Sequence, residues 1–390
     1  MKICVYGGSF NPPHIGHIAA AKAALEQINP EKMLVIPDRA APHKDMAVDS
    51  PSPEARFELT RLSFEDIPGV EVSDMELRRE GKSYTADTLR QLKEQYPDAD
   101  LFLLMGTDML CSFEQWRDFE WILQNAALAA AARDEGESEA LKASARRLSG
   151  KYGAVVEILS APAVPAASTR LRSLLREGDG RGLMHPAAYA FVIQRRLYGA
   201  RPERQWLREQ AYGMLKPQRI PHVRGVEEEA QRLARRWGTD RDLAAEAGIL
   251  HDITKKLDLN QQLLLCEKYG IMADKLERTN EKLLHAKTGA AVARGLFGVC
   301  DEVYEAIKWH TTGRPDMSMP EKILYIADYI EPTRDFDGVE RLRALAYEDI
   351  DAAMELGLRM SLEDIESRGQ PTHENSAAAL EWYAARNHRE

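Results

Sequence analysis

The chain has 390 residues, 52 Lys and Arg against 62 Asp and Glu, and a formal net charge of −10. That length predicts two or three domains, each able to bury its own core. The acidic balance argues against a broad non-specific nucleic-acid surface, which needs many clustered cations. The longest weakly polar run, Ala126 to Ala132, is far shorter than the ~20 residues of a membrane span, so no membrane association is expected. The opening MKICVYGG has a strand-like pattern and lacks the long apolar run of a secretory signal. Cys4, Cys111, Cys266 and Cys300 are scattered, with no CxxC; a reduced, cytoplasmic protein is expected, with Cys4 in the core.

In chain order, KICVY at 2–6 predicts a first strand and an Ala-rich pattern at 15–27 a helix. MLVIP at 33–37 predicts a second strand, followed by a helix at 53–65, a strand at 70–73 and a helix at 84–95. LFLLMG at 101–106 is a further strand; a helix, a strand-like 127–132, a helix at 138–149 and the strand VVEIL at 155–159 follow. This alternation predicts an α/β domain over 1–199: a Rossmann-like, doubly wound parallel sheet with helices on both faces. Ligands of such sheets bind beyond the carboxyl ends of the strands. GARPERQ at 199–205 has the composition of an exposed linker. Beyond it helical patterns dominate, at 203–215, 222–237, 240–255, 260–268, 284–296, 301–309, 320–330 and 349–364. They predict an all-α domain over 200–390. The chain carries no internal repeat or low-complexity tract.

GGSFNPPHIGH at 7–17 lies just after the first strand. Gly7 and Gly8 allow a close backbone approach to a ligand, alongside Ser9 and Phe10 of the same turn. A helix opening near Ile15 aims free N–H groups and a partial positive charge at that spot. His14 and His17, three apart, fall on one helical face and can donate to phosphate oxygens. The plainer alternative is a Gly-rich turn with two surface histidines. The combination favours phosphoryl chemistry, in which negative charge spreads over phosphate oxygens in the transition state.

GGSFNPPHIGH resembles the signature of the HxGH nucleotidyltransferase superfamily, and more narrowly that of bacterial nicotinate-nucleotide adenylyltransferases. The resemblance runs across 1–198 through APHK at 41–44, SYTADTL at 83–89, GTDML at 106–110, FEQWRDFEWIL at 113–123 and STRLR at 168–172. The chain departs from the family in reading Ala167-Ser168-Thr169 where Ser-Ser-Thr is usual, which puts one hydroxyl contact in question. Asn11 stands where Asp is frequent. The resemblance implies that the phosphate of nicotinate mononucleotide attacks the α-phosphorus of ATP in line, with Mg2+ assisting and pyrophosphate leaving. It places His14 and His17 at the triphosphate, and Ser168, Thr169 and Arg172 on ATP phosphates from a second helix N-terminus. Thr85 and Trp116 become candidates for the pyridine ring, and Lys44 and Arg56 for the mononucleotide's charges; Asp108 is a candidate for a ribose or for orienting the nucleotide. Arg56 is equally readable as a surface helix residue, and Trp116 as core. Phosphopantetheine adenylyltransferases share the HxGH logic but lack the SYT and F-x-x-W segments. Class I aminoacyl-tRNA synthetases would require a KMSKS-like loop; MSMPEK at 317–322 lies in the wrong domain and order.

The second half holds His222, His251-Asp252, His285, His310 and Asp328, all residue types that bind transition metals. The HD pair follows the apolar run AAEAGIL, which predicts a buried helix carrying it, and buried polar side chains need partners. Scattered, individually satisfied histidines are the plainer alternative. The order resembles the H…HD…D pattern of HD phosphohydrolases. GILHDITKKL at 248–257, HAKTGA at 285–290 and the segment 309–334 are similar to a subfamily associated with symmetrical hydrolysis of diadenosine tetraphosphate. That resemblance implies two transition metals, a di-iron centre, with Asp252 as bridge and the six residues as ligands. It makes Lys255 and Arg314 candidates for the polyphosphate, each also readable as a surface cation. No GYP signature of the cyclic-dinucleotide branch is present. A regulatory nucleotide-sensing role, or hydrolysis of another phosphate ester, stays open for this half, as does a homo-oligomer. His185, His373 and His388 are expected to be structural or exposed; His43, beside Lys44, is readable as lying off the site or as touching substrate.

Overall fold

The computed structural model describes residues 1–40, 46–132, 135–162, 164 and 166–387. Lys44 and His43, with the APHK segment, and His388 lie outside the described residues. The chain divides into two compact units, Met1–Arg201 and Pro202–Glu390.

In the first unit the apolar runs form β1 (Lys2–Gly8), β2 (Lys32–Pro37), β3 (Val70–Val72), β4 (Asp100–Gly106), β5 (Ala126–Ala131) and β6 (Val156–Leu159). Between and after them run α1 (Ile15–Ile28), α2 (Pro53–Phe64), α3 (Thr85–Gln95), α4 (Thr107–Cys111), α5 (Phe119–Asn125), α6 (Ser138–Tyr152), α7 (Ser168–Arg176) and α8 (Pro186–Arg195). The strands pair in the order β3-β2-β1-β4-β5-β6, every pair parallel. Side chains alternate between two cores, as the period of a strand requires. Ile3, Val5, Leu34, Leu101, Leu103 and Leu128 meet Leu89 and Leu92 of α3 and Leu141 and Leu148 of α6. Cys4, Tyr6, Met33, Val35, Phe102 and Leu104 meet Ala21, Ala24 and Ile28 of α1 and Phe64 of α2. Burial pushes the Cys4 thiol up to about 12, so it stays a protonated core group. The alanines of β5 are weak strand formers alone; pairing with β4 and β6 overrides that preference. The strand order reverses between β1 and β4, opening a crevice at their carboxyl ends.

The second unit is built of α9 (Arg204–Gly213), α10 (Ile220–Trp237), α11 (Arg241–Leu250), α12 (Leu259–Tyr269), α13 (Glu281–Phe297), α14 (Asp301–Trp309), α15 (Met319–Ile330), α16 (Val339–Glu348), α17 (Ile350–Ser367) and α18 (Glu374–Asn387). It has no strand among its described residues. Two expectations change here. The helix predicted over 240–255 stops at Leu250, and His251-Asp252 lie at its end and in the turns that follow. The helices α8, α16 and α18 lie outside the predicted elements; α8 is apolar around much of its surface, which blurs its stripe, whereas α16 carries one, Val339, Leu342 and Ala346, over only ten residues. A Cβ added to Gly248 would lie 2.8 Å from the Glu227 Cα, so α11 and α10 touch backbone to backbone. Among the described residues, no helix is long and apolar enough to cross a membrane.

Candidate nucleotide and metal sites

Where β1 ends, Gly7 and Gly8 lead into a loop folded around Phe10. Its backbone is left-handed, with φ 42°, and its buried ring packs edge-on against Tyr6, His17 and Phe64. The Asn11–Pro12 peptide is cis. His14 caps α1, and its backbone N–H donates to His17 Nδ1 at 3.1 Å. That contact makes Nδ1 the acceptor and leaves the neutral ring's proton on Nε2, a donor. The two rings lie 3.8 Å apart between centroids. Gly16, inside the HxGH signature, had no role of its own in the sequence; a Cβ there would lie 3.0 Å from His14 Nδ1, so a larger residue would press the His14 ring out of its place by a few tenths of an ångström.

The N-terminus of α7 is stitched to the same loop. Ser168 Oγ donates to the Pro12 carbonyl at 2.9 Å, and Arg172 donates to the Asn11 carbonyl at 2.7 Å and to Thr169 Oγ1 at 3.2 Å. The N-terminal ends of α1 and α7 thus flank one loop, and their partial positive charges add. Arg56 is only 1 % exposed, so it is not the surface helix residue the sequence allowed. Its guanidinium donates to the carbonyls of Ser9, Asp38 and Arg39 at 2.8, 2.8 and 3.0 Å, and pairs with the Asp38 carboxylate at 3.1 Å. Asp38 N–H in turn donates to the Gly8 carbonyl at 3.0 Å. Arg56 therefore ties the loops after β1 and β2 together.

Asp108 is exposed in the first turn of α4, directly beyond β4 and beside the end of β1. Thr85 opens α3. Trp116 is half-buried, its ring 5.1 Å from Phe113, and Arg117 beside it lies 4.6 Å over the Tyr84 ring. That contact brings the segments of Thr85 and Trp116 together.

In the second unit α10, α11, α13, α14 and α15 deliver six side chains to one point. His222 sits in the first turn of α10, His251 ends α11 with Asp252 next to it, His285 lies on α13, His310 ends α14, and Asp328 lies on α15. Each imidazole is aimed the same way. The Nδ1 atoms of His251, His285 and His310 donate to the carbonyls of Gly248, Lys282 and Ile307 at 2.8, 2.8 and 2.6 Å, and His222 Nδ1 donates to Glu331 at 2.9 Å. Every Nε2 is left as a lone pair facing inward. His222 Nε2, His251 Nε2 and Asp252 Oδ1 are buried without a hydrogen-bond partner.

The donor atoms divide by distance into two sets that share Asp252, with His251 also within 4.8 Å of donors from Asp252 and His310. His222 Nε2 is 3.0 Å from Asp328 Oδ1 and 4.0 Å from Asp252 Oδ2; His251 Nε2 is 3.3 Å from Asp252 Oδ2 and 4.0 Å from Asp328 Oδ1. On the other side Asp252 Oδ1, His285 Nε2 and His310 Nε2 are separated by 3.1, 3.7 and 3.1 Å. Donors about 2.1 Å from a tetrahedral cation stand roughly 3.4 Å from one another, so both sets fit one. Burial works to raise the carboxyls of Asp252 and Asp328; the neighbouring imidazoles, together with Lys255 at Asp252 and Arg334 at Asp328, outweigh it and hold both well below the usual range. Burial, reinforced by Lys255, pushes His285 down to about 3, keeping it a neutral ligand.

Three further residues, not singled out in the sequence, complete the cluster. Glu331 is buried, accepts from Thr333 N–H at 2.8 Å and fixes the His222 ring. Arg219 donates to Asp252 Oδ2 at 2.6 Å, and Arg334 to Asp328 Oδ1 at 2.8 Å. The signal was the spacing of Glu331 three residues past Asp328, in ADYIEPTR. Lys255 lies in the cluster, 3.3 Å from both Asp252 Oδ1 and His285 Nε2. Arg314 forms a two-pronged pair with buried Glu321 at 2.9 and 3.0 Å. His373 also meets carboxylates, Asp274 at 2.8 Å and Glu277 at 3.7 Å. Its Nδ1 accepts from Asn375 N–H and Lys287 occupies Glu277, so that group is a satisfied structural clasp. His185 pairs with Asp66 at 3.0 Å.

Fold and geometry define a nucleotidyltransferase-like α/β unit and a helical unit with a metal-fit cluster. Residues 5–174 match the Cytidylyltransferase-like family, and residues 219–333 match the HD domain family. The probable nicotinate-nucleotide adenylyltransferase of Lachnoclostridium phytofermentans is 33% identical over 198 residues, covering 50% of this chain and 98% of that protein. Its counterpart from Gemmatimonas aurantiaca is 34% identical over 204 residues, covering 52% and 94%. Through its first half the chain belongs to the nicotinate-nucleotide adenylyltransferase family, and its second half carries an HD domain. The crystal structure of a predicted HD superfamily hydrolase involved in NAD metabolism, from Clostridium acetobutylicum, is 35% identical, with a TM-score of 0.45, covering 47% of this chain and 97% of that one.

Proposed function

We propose that the chain is a bifunctional enzyme: a nicotinate-nucleotide adenylyltransferase joined to a metal-dependent hydrolase that splits diadenosine tetraphosphate into two ADP. The observation that carries this reading is the presence of two unrelated donor arrays, one of N–H groups and one of lone pairs.

In the first unit an oxygen of the mononucleotide phosphate attacks the α-phosphorus of magnesium-bound ATP. The bond to the β-phosphate oxygen breaks, and pyrophosphate leaves. The Nε2–H of His17, the ring of His14 and the open N–H groups of α1 would stabilise charge on the phosphoryl oxygens. Ser168, Thr169 and Arg172 would hold the triphosphate from α7, at a loop shared with Gly7, Gly8, Ser9 and Phe10. Thr85, Asp108 and Trp116 would contact the mononucleotide, and Lys44 its charge. Arg56 acts by positioning the loops, since its terminal nitrogens are bound to protein oxygens.

In the second unit His222, His251, Asp252 and Asp328 would hold one cation, and Asp252, His285 and His310 the other; we propose iron for both. Bound cations there would neutralise phosphoryl oxygens and acidify water. Asp252 reaches both sets; Lys255, which lies against Asp252 and His285, would contact the polyphosphate, and Arg314, whose guanidinium is held by buried Glu321, is proposed for the same role. Water adds to one of the two central phosphorus atoms, the P–O bond to the central bridging oxygen breaks, and one ADP leaves on that oxygen while the water oxygen stays on the other ADP, its protons passing to solvent. Incubation with ATP and each pyridine mononucleotide, and separately with diadenosine tetraphosphate after iron loading under reducing conditions, tests the reading. Nicotinate adenine dinucleotide from the first and ADP from the second are expected; the absence of either product removes that half of the proposal.

A further inference from the structure

The two donor sets are unequal in a way that lone-pair counting makes plain. A carboxylate oxygen has two lone pairs and can serve an arginine and a cation together; an imidazole Nε2 has one. Arg219 touches the first set only through the Asp252 carboxylate, at 2.6 Å, and approaches Asp328 no closer than 3.9 Å. Lys255 is different. Its Nζ lies 3.3 Å from Asp252 Oδ1 and 3.3 Å from His285 Nε2, against two of the three donors of the second set. His285 Nδ1 already donates to the Lys282 carbonyl, so Nε2 carries the ring's remaining lone pair. That lone pair accepts from the ammonium or binds a cation, and cannot do both.

We propose that Lys255 is a displaceable stand-in for one of the two cations, so that the position of Asp252, His285 and His310 loads after that of His222, His251, Asp252 and Asp328. This rests on the metal reading given above. The first set offers four donors with no single lone pair engaged by a protein cation; the second offers three, one of them engaged. Lys255 is 34% exposed at its side chain and lies in a turn closed by its own N–H to the Asp252 carbonyl at 2.9 Å. Its flexible stem can therefore swing outward while the backbone stays in place. Displacement also frees the ammonium for the polyphosphate contact.

The test is a Mn2+ titration of the chelator-stripped full chain, followed by calorimetry and by the electron paramagnetic resonance signal of free Mn2+. The wild type is expected to bind in two steps of unequal affinity. Lys255→Met should tighten the second step severalfold and leave the first within about twofold, whereas Lys255→Arg, which keeps the charge, should leave the second step at or weaker than wild type. Lys255→Gln serves as a second neutral variant should the methionine fold poorly by circular dichroism. Two equal steps in the wild type, or a second step unchanged or weakened in both neutral variants, overturns the proposal while leaving the metal reading standing. No Mn2+ bound by the wild type overturns both.

Discussion

His285 and His310 point their Nε2 atoms at each other across 3.1 Å, although each donates its Nδ1 proton to a backbone carbonyl. Two lone pairs do not attract, so the surrounding helices impose this approach. The carbonyls of Lys282 and Ile307, one turn earlier on α13 and α14, set both ring orientations. An arrangement costly on its own terms points to a cation that both nitrogens share.

The orientation of His222 has a different anchor, the buried Glu331 carboxylate. Thr333 and His222 together outweigh the effect of burial and keep that carboxyl below its usual range. Gly225 faces Glu331 so closely that an added Cβ would press on Glu331 Oε2. Glu331→Gln and Gly225→Ala should therefore each weaken metal binding about 10–100-fold. Metal content after gel filtration, together with metal titration, checks this; adenylyl transfer should be unaffected.

Gly16→Ala separates stability from activity. Alanine is the better helix former by about 1 kcal/mol, so thermal stability should hold or rise. The added Cβ presses on the His14 ring, so kcat for adenylyl transfer should fall. Parallel loss of stability and activity would show that the glycine serves the fold instead.

Removal of Arg56 breaks the buried ion pair with Asp38 and the ties to three loop carbonyls. Arg56→Met should cost about 3–5 kcal/mol, the scale for breaking a buried ion pair by removing one partner. Adding Asp38→Asn should recover part of that loss. Denaturant unfolding of the single and double variants measures the coupling.

Much of this was legible in the sequence, and the missing parts have physical causes. The alternation of KICVY, MLVIP and LFLLMG with helical patterns carries the parallel sheet, because strands buried on both faces need continuous apolar runs. The order of His222, His251, Asp252, His285, His310 and Asp328 marked the cluster. Glu331, Arg219 and Gly16 were not marked, since each acts through a side chain brought near by folding or, for Gly16, through an atom it lacks. Arg56 read as ambiguous for the same reason: a helix-borne arginine reveals its burial only when Ser9 and Asp38 close around it. The turn at His251 was hidden by the apolar run before it, which continues a helical pattern beyond the point where the backbone leaves it.

Acid should destabilise the metal-free protein through its histidine cluster. The folded-state value of His285 is depressed to about 3, against about 6.5 in an unfolded chain. The unfolded state therefore takes up a proton first, and stability present above about pH 6.5 is lost progressively as pH falls toward the folded value. Unfolding midpoints of chelator-treated protein should fall across that window, and His285→Gln should flatten the dependence.

The central claim, that two separate chemistries share one chain, is tested most directly by assaying both reactions on two double variants. His14→Ala with His17→Ala should lower dinucleotide formation by at least ~10²-fold and leave ADP release from diadenosine tetraphosphate at the wild-type rate. His251→Ala with Asp252→Ala should abolish ADP release and leave dinucleotide formation intact. Loss of both activities in either variant, despite wild-type folding by circular dichroism, would contradict the account.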